Sequence, residues 1–121
     1  MIPTKIHGFL DYSMALLLIL LPFLLVFPSG SATNIPILLG LLTIAYSALT
    51  RYELGPFKVI PMKLHLIIDF ISGVLLIAAP WLFGFADKVV WPFVILGMVE
   101  VGASILTKKS PPVVARRNPG D

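Results

Sequence analysis

At 121 residues, with 58% hydrophobic residues, 12% charged residues and a mean hydropathy of +0.99, the chain lies outside the composition of a soluble globular domain. So short a chain cannot bury that much apolar surface in one core of its own, so part of its solvent is lipid. It has no cysteine, which excludes disulfides, a thiolate nucleophile and cysteine-ligated metal. The net charge of +3 is spread over the ends of apolar segments and does not predict nucleic-acid binding.

Four apolar segments follow in chain order: residues 6–27, 35–50, 64–85 and 89–107. A spanning helix needs about 17–25 residues. Only helices and closed barrels satisfy every backbone polar group in lipid. Leu-, Ile- and Ala-rich runs without period-2 alternation select helices. A secretory signal is the rival reading for the first segment. A cleaved leader, however, would not copy the Lys5-x-His7-x3-Asp11 pattern of an internal helix. Pro3, Pro36, Pro61 and Pro92 fall near helix starts, where the missing N–H costs little. Pro22 and Pro80 fall late in helices one and three and should loosen their last turns. Trp81 and Trp91 suit a membrane–water interface.

Residues 2–27 return as residues 60–85. Ile2-Pro3-Thr4-Lys5-Ile6-His7 reaching Asp11 matches Ile60-Pro61-Met62-Lys63-Leu64-His65 reaching Asp69, with Pro22 on Pro80 and Phe27 on Phe85. Over those 26 positions 11 are identical, and the polar residues recur in register. The second helix of each half repeats too. Gly40, Thr43, Ser47 and Thr50 align with Gly97, Glu100, Ser104 and Thr107 at an offset of 57 rather than 58. The expected fold is an all-α membrane protein of four transmembrane helices, built as two tandem two-helix repeats related by a pseudo-two-fold axis along the membrane normal. Its transmembrane domain covers residues 1–109, with repeats at 2–51 and 60–108. Residues 110–121 form a basic, Pro-rich tail expected to be disordered and cytoplasmic.

Lysine and arginine set the orientation. Lys5, Arg51, Lys58, Lys63, Lys108, Lys109, Arg116 and Arg117 fall on one side and only Lys88 on the other, which places both termini and the central loop in the cytoplasm. The tail's basic residues can also touch anionic headgroups.

Spacings of 3, 4 and 3 put Gly40, Thr43, Ser47 and Thr50 on one helical stripe, and Gly97, Ser104 and Thr107 on another. Small residues and hydroxyls on a stripe are what close helix packing in lipid uses, so these seven are the candidate packing residues. His7 and Asp11 lie four apart, as do His65 and Asp69, so each pair shares a helix face. At 1.5 Å per residue, the two aspartates, Ser47, Ser104 and Glu100 lie roughly 6–12 Å below the cytoplasmic boundary. The outer half, with Leu18, Leu21, Leu25, Leu76 and Phe83, is dry. The pattern predicts a wet polar pocket under an apolar lid rather than a through-pore.

An intramembrane acid costs about 2.5–3.5 kcal/mol on insertion scales, so each of these acids needs a partner or a role. In a structural reading, each histidine bonds the aspartate one turn away and the pairs hold the bundle. In a metal reading, His7, Asp11, His65 and Asp69 converge on a divalent first-row ion, or a haem sits there. In an anion reading, Lys5, His7, Lys63 and His65 at two helix N-termini hold a phosphate or lipid headgroup. A proton relay through the histidines, aspartates and Glu100 is the fourth. Glu100 breaks the repeat symmetry, because its counterpart is Thr43. The candidate ligand-binding residues are therefore Lys5, His7, Asp11, Lys63, His65, Asp69 and Glu100. The sequence points to no catalytic residue and names no cofactor.

Ala79-Pro80-Trp81, followed by Leu82-Phe83-Gly84-Phe85, stands at the end of the first helix of a two-helix unit, and Leu21-Pro22-Phe23 stands at the same place in the other copy. This arrangement resembles the SPW-repeat family of prokaryotic membrane proteins over residues 2–107. The resemblance implies an integral protein of a prokaryotic inner membrane and implies no reaction. The functional expectation is a non-enzymatic scaffold or small binding protein that contacts membrane lipids and self-associates. The alternatives are a small oligomeric transporter or channel, and a metal- or haem-binding membrane protein.

Overall fold

In the computed structural model, which describes residues 1–111, four helices run in order: α1 (Thr4–Leu24), α2 (Ser31–Ala48), α3 (Met62–Leu82) and α4 (Trp91–Leu106). No strand occurs among the described residues beyond two isolated bridges. The first three helices are long and apolar enough to cross a membrane, whereas α4 has 16 residues, about 24 Å of helix at 1.5 Å per residue. Of the proposed tail, residues 112–121 lie outside the described residues.

The proline signals work as the chemistry requires. Pro3 and Pro61 sit extended just ahead of α1 and α3, and their carbonyls accept the N–H groups of His7 and His65 at 3.0 and 3.1 Å. This fixes where each helix starts and so where each histidine points. At the other end, α1 and α3 stop two residues beyond Pro22 and Pro80, earlier than the apolar runs suggest. The reason is a helix-terminating turn. Phe27 N–H reaches Pro22 O at 2.9 Å and Phe85 N–H reaches Pro80 O at 2.8 Å. One residue before each donor the backbone is left-handed, at Val26 (φ 53°) and Gly84 (φ 77°). Helix α2 starts four residues before its apolar run, because Gly30 (φ 94°) turns the chain and its carbonyl accepts from Thr33 and Asn34. A polar first turn leaves no apolar trace in the sequence.

Helix α1 packs on α2 and α3 on α4. A Cβ on Gly40 would stand 2.7 Å from the Ala15 carbonyl, and one on Gly97 would stand 2.6 Å from the Gly73 carbonyl. Within each hairpin the two helices therefore touch backbone to backbone at corresponding positions. Leu18, Ala32, Leu39, Leu76, Ala79, Phe85 and Phe93 form one apolar core in the half expected to face outward. Phe93 closes it, stacked on Phe27 at 5.6 Å and tilted on Phe85 at 4.9 Å. Leu18 and Leu76 belong to this core, while Leu25 and Phe83 are exposed.

The two hairpins are joined end to start in both directions. Thr50, after α2, bridges Ile60, before α3. Thr107, after α4, bridges Ile2, before α1. Ile2 N–H donates to Leu106 O at 2.8 Å and Ile2 O accepts from Lys108 N–H at 3.0 Å, while Ile60 N–H donates to Leu49 O at 2.6 Å. The start of the described chain is thus tied to the end of α4.

Candidate functional site

Those end-to-start bridges set the geometry of the site. Holding Thr107 beside the start of α1 brings its hydroxyl to His7 Nδ1 at 2.7 Å. Holding Thr50 beside the start of α3 brings its hydroxyl to His65 Nδ1 at 2.7 Å. Each threonine hydroxyl also reaches the carbonyl one turn back, Ala103 O or Tyr46 O, at 2.6 Å. A hydroxyl has one hydrogen to give. With that hydrogen on a carbonyl, the threonine oxygen accepts from the imidazole. Both histidines therefore carry a hydrogen on Nδ1 and turn Nε2 toward each other's helix.

Both Nε2 atoms meet carboxylates. His7 Nε2 lies 2.7 Å from Asp69 Oδ2 and 3.0 Å from Asp11 Oδ1. His65 Nε2 lies 2.7 Å from Asp11 Oδ2 and 3.1 Å from Asp69 Oδ2. The shorter contact of each histidine is to the aspartate of the other hairpin. The contacts expected with the aspartate one turn away are present at 3.0 and 3.1 Å, but they are the longer ones. On a helix an i,i+4 pair is a neighbour by construction, but the bundle turns both imidazoles across its middle, where the opposite carboxylate is closer.

All four side chains are buried, His65 and Asp69 completely. A nitrogen and a carboxylate oxygen at 2.7 Å require a hydrogen between them. The quartet thus holds two shared protons. Whether each is assigned to imidazole or carboxyl, the four groups together carry no net charge. That is how two acids and two bases are accommodated at membrane depth.

Tyr46 donates its hydroxyl to Asp69 Oδ1, so Asp69 meets both histidines through Oδ2 alone, whereas Asp11 uses both oxygens. The sequence reading missed Tyr46. The available signal was its place between Thr43 and Thr50 on the polar stripe of α2. The counterpart of Tyr46 in the other hairpin is Ala103. Beside Ala103 lies a narrow cavity of about 10 Å³, lined also by His7, Asp11, Asp69 and Glu100, roughly the room one water needs. Glu100 is buried at 6% exposure, and its Oε2 has no hydrogen-bond partner among the described residues.

The central loop covers one side of the quartet, and the small cavity beside Glu100 and Ala103 reaches it from the side of α1 and α4. The loop between α2 and α3 folds back under the quartet, with Tyr52 buried to 1% exposure and its ring 5.5 Å from that of His65. Thr4 donates to Glu53 Oε1 at 2.6 Å, Tyr12 to Leu54 O at 2.9 Å and Lys58 to Tyr52 O at 2.6 Å, fastening the loop. Gly8 makes room for it, since a Cβ there would meet Leu54 and Tyr52 side chains at 2.6 and 2.8 Å. Burial, with the Asp11 charge behind it, pushes the Tyr52 phenol above its ordinary pKa and keeps it protonated.

The remaining candidates divide. Lys5 and Lys63 are exposed, whereas His7 and His65 are buried in the quartet. Thr43 donates to Leu39 O at 2.8 Å and Ser104 to Val101 O at 2.7 Å, while the buried Ser47 hydroxyl has no hydrogen-bond partner among the described residues. The cavity of about 10 Å³ beside the quartet has no room for a macrocycle.

The SPW repeat domain family model matches residues 5–107. The chain belongs to the SPW repeat family. The match spans both hairpins and every residue of the quartet, and with the apolar helices it makes this SPW repeat protein a membrane protein. No curated protein and no solved structure matches it.

Proposed function

We propose that this SPW repeat protein is a non-enzymatic scaffold of a prokaryotic inner membrane, in which the His7–Asp11–His65–Asp69 quartet clamps two helical hairpins into one unit. The carrying observation is that each histidine makes its 2.7 Å contact with the aspartate of the other hairpin. Clamping explains why every hydrogen of the quartet is used within the protein and why the central loop covers it on one side. The pairwise exchange of contacts, Thr50 with His65 and Thr107 with His7, supports a pseudo-two-fold axis along the membrane normal. The Lys/Arg asymmetry supports cytoplasmic termini. Membrane lipids are its partners on every side, and a second copy is another.

A double-mutant cycle in detergent tests the clamp. His7→Asn with Asp69→Asn should show coupling of about 1–3 kcal/mol, as for residues sharing a buried network, and more than His7→Asn with Asp11→Asn. Additive losses across the hairpins would show that the halves stand independently.

A further inference from the structure

We infer that the quartet is a binding site for one divalent first-row transition-metal ion, taken up in exchange for the two shared protons. The inference names the ligand of the clamp just described and rests on the same four residues. One ligand atom from each of His7, Asp11, His65 and Asp69 lies within 4.8 Å of the others, and all four residues are buried. Two imidazole nitrogens and two carboxylate oxygens suit zinc- or cobalt-like ions and do not suit magnesium or calcium, which take all-oxygen sets.

Proximity alone would not carry this; the groups outside the four do. A metal-bound histidine almost always donates its other ring N–H to an acceptor, which fixes the tautomer and aims the lone pair. Here both Nδ1–H groups are held by Thr50 and Thr107 at 2.7 Å, with each threonine locked in turn by a carbonyl at 2.6 Å. Asp69 is oriented likewise by Tyr46. Three of the four ligands thus have their outer atoms satisfied and their inner atoms convergent.

Binding needs the side chains to readjust around the ion. Ligands about 2.0–2.2 Å from a tetrahedral ion stand about 3.3–3.6 Å apart. The two 2.7 Å contacts would open by roughly 0.6–0.9 Å, the 3.0 and 3.1 Å contacts are nearer that spacing, and the widest separation, within 4.8 Å, would close. Charge balances as well. The quartet is neutral with two protons, and one doubly charged ion replacing both leaves it neutral, so exchange adds no charge at membrane depth. Glu100 supplies an independent pointer. Its buried Oε2 has no partner among the described residues and it lines the small cavity that reaches His7, Asp11 and Asp69. It is placed to receive the ion on its way in.

The test uses the full chain in detergent, stripped with a chelator and titrated with Co²⁺ and, separately, Zn²⁺. One ion should bind per chain, with a tetrahedral Co²⁺ visible spectrum and two protons released per ion in weak buffer. Thr50→Val and Thr107→Val keep all four ligands and should each weaken binding about 10–100-fold. His7→Asn with His65→Asn should abolish it. Folded wild-type protein that takes up neither ion, or uptake unchanged by both threonine substitutions, overturns the inference. The clamp is judged separately, from thermal unfolding of the same variants in chelator. Stability lost there without metal uptake in the wild type would reject the metal site and keep the clamp.

Discussion

Tyr46 on α2 donates its hydroxyl to Asp69 on α3, a bond with no counterpart in the other hairpin, where Ala103 replaces the tyrosine. This single exchange makes the quartet lopsided. Asp69 has one oxygen left for the histidines, and the space beside Ala103 is the small cavity next to Glu100.

Tyr46→Phe removes only the hydroxyl and leaves Asp69 Oδ1 buried without its donor. It should destabilise the protein by about 1–3 kcal/mol, the cost of an unsatisfied buried acceptor. Thermal unfolding in detergent reads it, and an unchanged midpoint would show that Asp69 has another donor.

The ends of α1 and α3 give a second prediction. Val26 (φ 53°) and Gly84 (φ 77°) take the same left-handed step, which a β-branched residue adopts only under strain. Val26→Gly should stabilise by about 1 kcal/mol, within the 1–2 kcal/mol left-handed penalty less the added chain entropy of glycine. Gly84→Val should lose a similar amount. A Cβ at Gly84 meets nothing within 4 Å, so backbone strain and not a clash sets that loss. If neither substitution moves the unfolding midpoint, the turn does not hold this conformation in solution.

Three glycines separate packing from helix propensity. Gly40→Ala and Gly97→Ala each drive a methyl to within 2.7 Å of a backbone carbonyl, which cannot move aside as a side chain can. Each should destabilise by about 1–3 kcal/mol, as overpacking does. Gly102→Ala meets open space and should be neutral or slightly stabilising. Equal tolerance of the three in unfolding or assembly assays would refute the close hairpin contacts.

Topology can be read by labelling. In a cysteine-free chain, Ser31→Cys and Lys88→Cys should react with an impermeant thiol reagent from outside intact cells, and Phe57→Cys should not. All three positions are exposed, so differences in labelling report sidedness. Reaction at position 57 from outside would reverse the orientation.

The sequence by itself determined the helices, their duplication and the residues that meet at membrane depth. Apolar length forces helices in lipid, and a repeated Lys-x-His-x3-Asp pattern marks equivalent places without any coordinates. The helix ends were less legible, because they depend on a left-handed backbone step at Val26 and a polar first turn at Ser31, neither of which changes the apolar pattern. Only the tertiary structure decided the partners. Helix periodicity puts His7 beside Asp11, yet the closer carboxylate is Asp69, 62 residues away. That choice depends on where the start of each hairpin is tied to the end of the other, through Thr50 at Ile60 and Thr107 at Ile2. Local spacing fixes which side chains share a face. Which face meets which is fixed by backbone bonds between distant segments, and these leave no periodic trace in the chain.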